Sequence, residues 1–195
     1  MRRPTLALAV SLTAVSLLAV AGCSDGNASP STTKEAAPSS TAPSSTVPAG
    51  EPEGAVTYTD LEQAHVDTPV DYPQTPPVGG AHNPVWQTCQ FYDVEFSKER
   101  GVHSMEHGAV WITFDPNLAA ADVAVLAQFA EDGDEVLVSP FSGLPSPVVA
   151  SAWGKQLVLD SVNDPRLAQF VGYFDDGPQT PELNTPCAQG TTETN

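Results

Sequence analysis

Four histidines, His65, His82, His103 and His107, crowd into one stretch of the chain, and residues 108–195 contain none. The densest part reads His103-Ser104-Met105-Glu106-His107-Gly108. A spacing of four places His103 and His107 on one face whether the backbone is extended or helical. In an extended segment Met105 joins that face, and two imidazoles with a thioether suit copper. In a helix Glu106 joins instead, and the string matches His-x-x-Glu-His, the inverted zinc-peptidase pattern. The first reading is a transition-metal site for a copper or zinc ion. It is built from His82, His103 and His107, with Glu106 as ligand or as partner of a ligating histidine, and His65 and Met105 as weaker additions. Such a site should lose affinity below pH ~6.5, where imidazoles protonate. The second is a metal-dependent hydrolase using His103, Glu106 and His107. The third is structural: the histidines hydrogen-bond a loop onto a sheet, in an envelope protein that binds another ligand or none. The balance favours a binding protein over an enzyme, and no catalytic residue is assigned. Ser104 and Ser142 lack a Gly-x-Ser-x-Gly setting, and the chain has neither a phosphate-binding glycine loop nor a Cys-x-x-Cys pair.

The elements that must position these side chains fall in two halves. Residues 58–101 are rich in Pro, with Gly and Tyr among them. Tyr72-Pro73-Gln74-Thr75-Pro76-Pro77-Val78-Gly79-Gly80 admits neither a helix nor a central strand, because proline lacks an N–H and clashes in a helix. A long ordered loop is expected, of the sort that carries function. Beyond it the pattern is regular. Residues 109–114 read as a strand rich in β-branched and aromatic residues. Asp115-Pro116 begins a helix to about Glu131, with Ala119, Val123, Leu126 and Ala130 on one face and Gly133 past its end. Residues 135–139 form a second strand. Residues 148–153 and 156–160 form a hairpin around Gly154-Lys155, with Gly at the first turn position. Asn163-Asp164-Pro165 starts a last helix, whose Leu167, Phe170, Val171 and Phe174 make a buried stripe. The order β-α-β-β-β-α predicts an α+β domain: a small mixed sheet with helices on one face, preceded by the long Pro/Gly-rich loop region.

The N-terminal 54 residues have other work. Arg2 and Arg3 precede an apolar run from Leu6 to Ala21, too short for a comfortable membrane span of ~20 residues. It ends in Val20-Ala21-Gly22-Cys23, the pattern of a lipoprotein signal peptide, residues 1–22, cut before Cys23. Diacylglycerol on the Cys23 thiol plus further acyl chains such as palmitate would anchor the protein stably to the outer, extracytoplasmic face of the cell membrane. Residues 23–54 read as a disordered Ser/Thr/Pro/Ala tether, residues 55–189 as one globular domain, and residues 190–195 as a flexible tail. Removing residues 1–22 takes Lys+Arg from 7 to 5 and leaves Asp+Glu at 24, a formal charge of 5 − 24 = −19. That balance excludes a nucleic-acid partner, whose phosphates require Lys and Arg, and leaves protein partners unspecified. With Cys23 lipidated, Cys89 and Cys187 remain as an even pair in an oxidising compartment, which predicts one disulfide.

Three motifs carry a resemblance. The 72–80 segment quoted above, His82-Asn83-Pro84-Val85-Trp86, and Val102-His103-Ser104-Met105-Glu106-His107-Gly108-Ala109-Val110-Trp111 resemble a bacterial family of exported proteins known only as domain of unknown function 3105. The likeness extends from about Val56 onward and includes Ser139-Pro140 and Ala152-Trp153-Gly154. It implies an exported location and a shared fold, and no established activity. In that family's pattern the position of Met105 is often Leu, which directs attention to the histidines and Glu106.

Overall fold

The computed structural model describes residues 49–132 and 135–195. The apolar leader, Cys23, the tether as far as residue 48, and Gly133 lie outside the described residues. The elements are β1 (Val56–Thr57), α1 (Lys98–His107), β2 (Val110–Phe114), α2 (Ala120–Asp132), β3 (Val136–Pro140), β4 (Val148–Ala152), β5 (Lys155–Leu159) and α3 (Pro165–Phe174). The strands form one sheet in the order β1-β5-β4-β2-β3. β2 and β3 run parallel, joined through α2, and every other pair is antiparallel. The fold is therefore α+β with a mixed sheet, as the sequence pattern predicts, with β1 and α1 added ahead of the expected series. Among the described residues no helix is long and apolar enough to cross a membrane.

Alternation along the strands sorts the core into two layers. Val110, Ile112 and Phe114 of β2, with Val136, Val138, Val148, Ala150, Leu157 and Leu159, face α2 and α3 and pack with Leu126, Leu167, Phe170 and Phe174. Trp111 and Leu137 point the other way, onto Val102 and Met105 of α1 and onto Tyr92, Phe96 and Trp153. The two expected helices share one face, and the unexpected one covers the other. With both faces covered, every residue of β2, β3 and β4 is buried.

Local chemistry explains the boundaries. Asp164 caps α3 by accepting from the Arg166 N–H, and Pro165 takes the first helical position, where a missing N–H costs nothing. Asp115 instead closes a turn, accepting from the Asn117 N–H, and α2 starts later, at Ala120. The hairpin turn is one residue earlier than expected. Ala152 pairs with Lys155, so Trp153-Gly154 make the turn and Gly154, at φ 67°, holds its second position. α1 contains Gly101 three residues into the helix, where a Cβ would stand 2.7 Å from the Trp111 ring. Glycine is the cost of bringing this helix against β2. It ends at Gly108, whose φ of 123° suits glycine and whose N–H returns to the Met105 carbonyl.

Both ends of the domain are longer than their composition suggests. Lys155 pairs with Glu51, and Arg166 and Gln169 donate to the carbonyls of Glu53 and Gly50, so the tether's last residues are docked. The closing residues, expected as a flexible tail, are held too. Thr191 bridges Gln87 and accepts from the Thr88 N–H, and the Glu193 carbonyl accepts from Gln87 and Arg100. The reason is non-local: this segment follows Cys187, which is bonded to Cys89 with Cα atoms 5.5 Å apart.

Candidate functional site

The loop region wraps around α1 and supplies half of the site. Residues 64–66 pair with His82: the Val66 N–H donates to the His82 carbonyl and the His82 N–H to that of Ala64. This bridge places the His65 and His82 rings side by side. The loop is pinned at several further points. The Tyr72 hydroxyl donates to the Ala81 carbonyl, Gly154 N–H to Val78, and the Gln156 amide to Pro76. On the other side Glu99, in the first turn of α1, accepts from the Val70 N–H, and Ser104 both accepts from the Gln87 N–H and donates to the Gln87 carbonyl. Apolar packing could not fix so irregular a backbone; hydrogen bonds to α1 and to the hairpin do.

Because α1 is helical, His103 and Glu106 project from one face at i and i+3. They meet His65 and His82 from the loop. One donor atom from each of these four residues lies within 4.8 Å of all the others, a group able to hold a metal ion. The ring centres of His65, His82 and His103 form a nearly equilateral triangle with sides of 4.9, 4.8 and 4.8 Å. Three imidazoles bound to one ion through nitrogens ~2.0–2.1 Å from it have ring centres roughly 5 Å apart, a spacing these three rings match. His82, His103 and Glu106 are 0, 4 and 2 % exposed. The His65 side chain is 46 % exposed.

Two backbone carbonyls set the tautomers. His82 Nδ1 donates to the Gly80 carbonyl at 2.8 Å and His103 Nδ1 to the Asn83 carbonyl at 2.6 Å. In the neutral ring that leaves each Nε2 with an unshared pair. His82 Nε2 stands 2.9 Å from Glu106 Oε2, yet neither atom meets hydrogen-bond geometry, and both are buried. His65 Nε2 is 3.7 Å from the same oxygen. Burial pushes the His103 imidazole down to about 4, with His107, His82 and His65 adding to the effect and the Asn83 carbonyl opposing it, so it is neutral near pH 7. Burial alone would raise the Glu106 carboxyl; its contact with His82 and the neighbouring imidazoles of His82, His103 and His65 outweigh this and hold it below the usual range, ionised.

Two expected ligands are elsewhere. His107 lies one helical turn further along α1, outside the group. Its ring packs on Trp86 with centres 4.8 Å apart, and its Nε2 is 3.5 Å from Glu182. Burial lowers its proton affinity, with Glu182 and the Pro186 carbonyl opposing. The zinc-peptidase arrangement, which needs both histidines of His-x-x-Glu-His on one ion, is therefore not formed. Met105 is turned away from the histidines, fully buried against Trp111 and Phe96. A helix puts i+2 on the face opposite i, so the extended, thioether-containing reading fails with the extended backbone. His65, the weakest of the expected histidines, takes the place of His107. The sequence signal for it was only that it belongs to the same histidine-rich stretch; the bridge to His82 is non-local. A second grouping, Cys89, Glu135 and Cys187, has its sulfurs joined to one another, and Glu135 accepts from the Cys187 N–H.

Residues 65–189 match the family described as protein of unknown function, DUF3105. The chain belongs to that family. The matched span starts at His65 itself and ends just past Cys187, so the DUF3105 domain comprises all four grouped side chains and the disulfide. No curated protein and no solved structure matches the chain.

Proposed function

We propose that this DUF3105 protein is a lipid-anchored, extracytoplasmic metal-binding protein, whose site takes one zinc or copper(II) ion on His65, His82, His103 and Glu106. One observation carries the reading. His82 Nε2 and Glu106 Oε2 are buried and in contact at 2.9 Å, and neither has a hydrogen-bond partner. With the His82 ring proton on Nδ1, held by the Gly80 carbonyl, both atoms are acceptors, and two buried acceptors this close call for a cation beside them. The imidazoles of His65 and His103 stand next to the pair. Three nitrogens and a carboxylate oxygen suit zinc or copper(II); with Met105 in the core, no soft sulfur favours copper(I). The carbonyls of Gly80 and Asn83 act as the outer partners that orient ligating histidines.

The test is titration of the purified chain with Zn(II), Cu(II) and Cu(I), beside His82→Ala and His103→Ala. One equivalent of Zn(II) or Cu(II), bound below micromolar and lost in both variants, is expected. If wild type takes up no ion at micromolar concentration and the variants merely melt lower, the histidines serve to hold the loop. The anchor rests on Val20-Ala21-Gly22-Cys23 alone. Replacing Cys23 with Ala should move the protein out of the membrane fraction, and unchanged fractionation would defeat that part of the proposal.

A further inference from the structure

We propose that His65 is the exchangeable ligand through which the ion enters and leaves, which makes the centre a transfer site rather than a permanent structural one. This rests on the metal-binding reading above. The four side chains differ sharply in how they are held. His82 and His103 are buried, each with its ring fixed by a hydrogen bond to a backbone carbonyl. Glu106 is buried on α1, and its carbonyl accepts from the Glu182 N–H of the covering segment. The His65 ring is nearly half exposed, and among the described residues its one polar contact is Glu106 at 3.7 Å. Its backbone neighbours are tied to His82, so the ring can swing about its own Cα–Cβ bond while the chain stays in place. Exposed side chains change rotamer within nanoseconds, and no part of the domain has to open.

The surroundings favour a cation at this mouth. Asp60, Glu62 and Asp67, all exposed, flank His65 along the chain. The exchange needs only a carrier offering neutral nitrogen donors, imidazole or amine. The His65 Nε2–metal bond breaks, the carrier's lone pair forms the replacement bond, and the ion keeps its charge. The displaced imidazole leaves as a neutral base, so no electron or proton changes hands. His82, His103 and Glu106 hold the ion until the carrier has supplied further donors.

The experiment uses the full-length chain in detergent, loaded with Zn(II), and follows transfer to a chromogenic chelator over a range of chelator concentrations. Wild type should release zinc at a rate that rises with chelator concentration. His65→Ala should still bind one equivalent, transfer it faster by about tenfold or more, and return toward the wild-type rate when free imidazole fills the vacated position. His82→Ala, measured alongside, should bind none. The proposal is overturned if wild-type release is independent of chelator concentration and unchanged in His65→Ala, or if His65→Ala abolishes binding as His82→Ala does. If wild type binds no zinc at all, it is the metal reading itself that fails.

Discussion

The two faces of the sheet are built on different principles. The face under α2 and α3 is closed by aliphatic and aromatic side chains alone: Ile112, Val138, Ala150, Leu157, Phe170 and Phe174 interlock with no polar group required. The face under α1 has an apolar floor of Trp111, Met105 and Phe96, and above the helix a layer of imidazoles, carboxylates and backbone carbonyls. That upper layer depends on hydrogen bonds and on the Cys89–Cys187 link rather than on packing density. Apolar packing and the polar side-chain cluster thus lie on opposite sides of one sheet, and a change on one side should register weakly on the other.

The largest effect that would separate the two faces is Phe170→Ala. It removes a fully buried ring from the α3 layer and should cost about 3–5 kcal/mol of unfolding free energy. Metal affinity of the folded fraction should be unchanged; denaturant titration with and without Zn(II) measures both, and a lost site would mean the faces are coupled. Next is the disulfide. Replacing Cys89 and Cys187 together with Ser opens a loop of 98 residues, and removal of a native bridge typically costs ~2–5 kcal/mol. Here affinity should fall as well, because the segment covering α1 is released. Affinity equal to wild type would show that the covering segment plays no part in the site.

Acid acts most strongly on the α1 face, although the Asp164 cap of α3, its carboxyl held low by the hydrogen bonds from Arg166, weakens in acid too. The His103 imidazole titrates at about 4 in the fold and near 6.5 when exposed, so the unfolded chain takes up the proton first. The stability that neutral His103 represents is complete above pH 6.5 and is lost as pH falls toward 4, at about 1.4 kcal/mol per pH unit for one such group. His107 shifts in the same direction. Glu106, held below its usual range, adds a further loss below pH 4.5. Melting of the metal-free chain from pH 7.5 to 4 should therefore decline with acid, and His103→Phe should flatten the decline; equal slopes would assign it to other groups. The smallest effect is Met105→Leu, a volume-conserving change in the core expected to cost less than ~1.5 kcal/mol. Zinc and copper affinities should match wild type. Loss of copper binding there would restore the thioether as a ligand.

The α2/α3 face was legible in the sequence because its signals are local. Asp164-Pro165 caps α3 within its own first turn, and Leu167, Phe170 and Phe174 repeat at helical spacing. β2, β4 and β5 lie where β-branched residues and the Trp153-Gly154 turn put them. α1 was not legible as a helix, because Gly101 and a buried polar face contradict the ordinary pattern. What favours the helix is the Trp111 ring ten residues on and the loop carbonyls that collect its side chains. The same non-locality governs the site. His103 and Glu106 follow once α1 is helical, but the choice of His65 over His107 is made by the pairing of residues 64–66 with His82. Spacing along the chain carries no record of that pairing.

The position of Cys187 after every strand and helix has a consequence for how the protein is made. A chain synthesised from its N-terminus can assemble the whole sheet, α2 and α3 before residues 182–193 are available. The wall over α1 comes after them: the Glu182 contact to Glu106, the Cys187 carbonyl that accepts from the Trp86 indole, and the Thr191 bridge to Gln87 all arrive with residues 182–191. A stop codon shortly before Glu182 would leave every strand and all four grouped side chains encoded, and would yield a protein whose apolar half is finished while its imidazole layer has no lid.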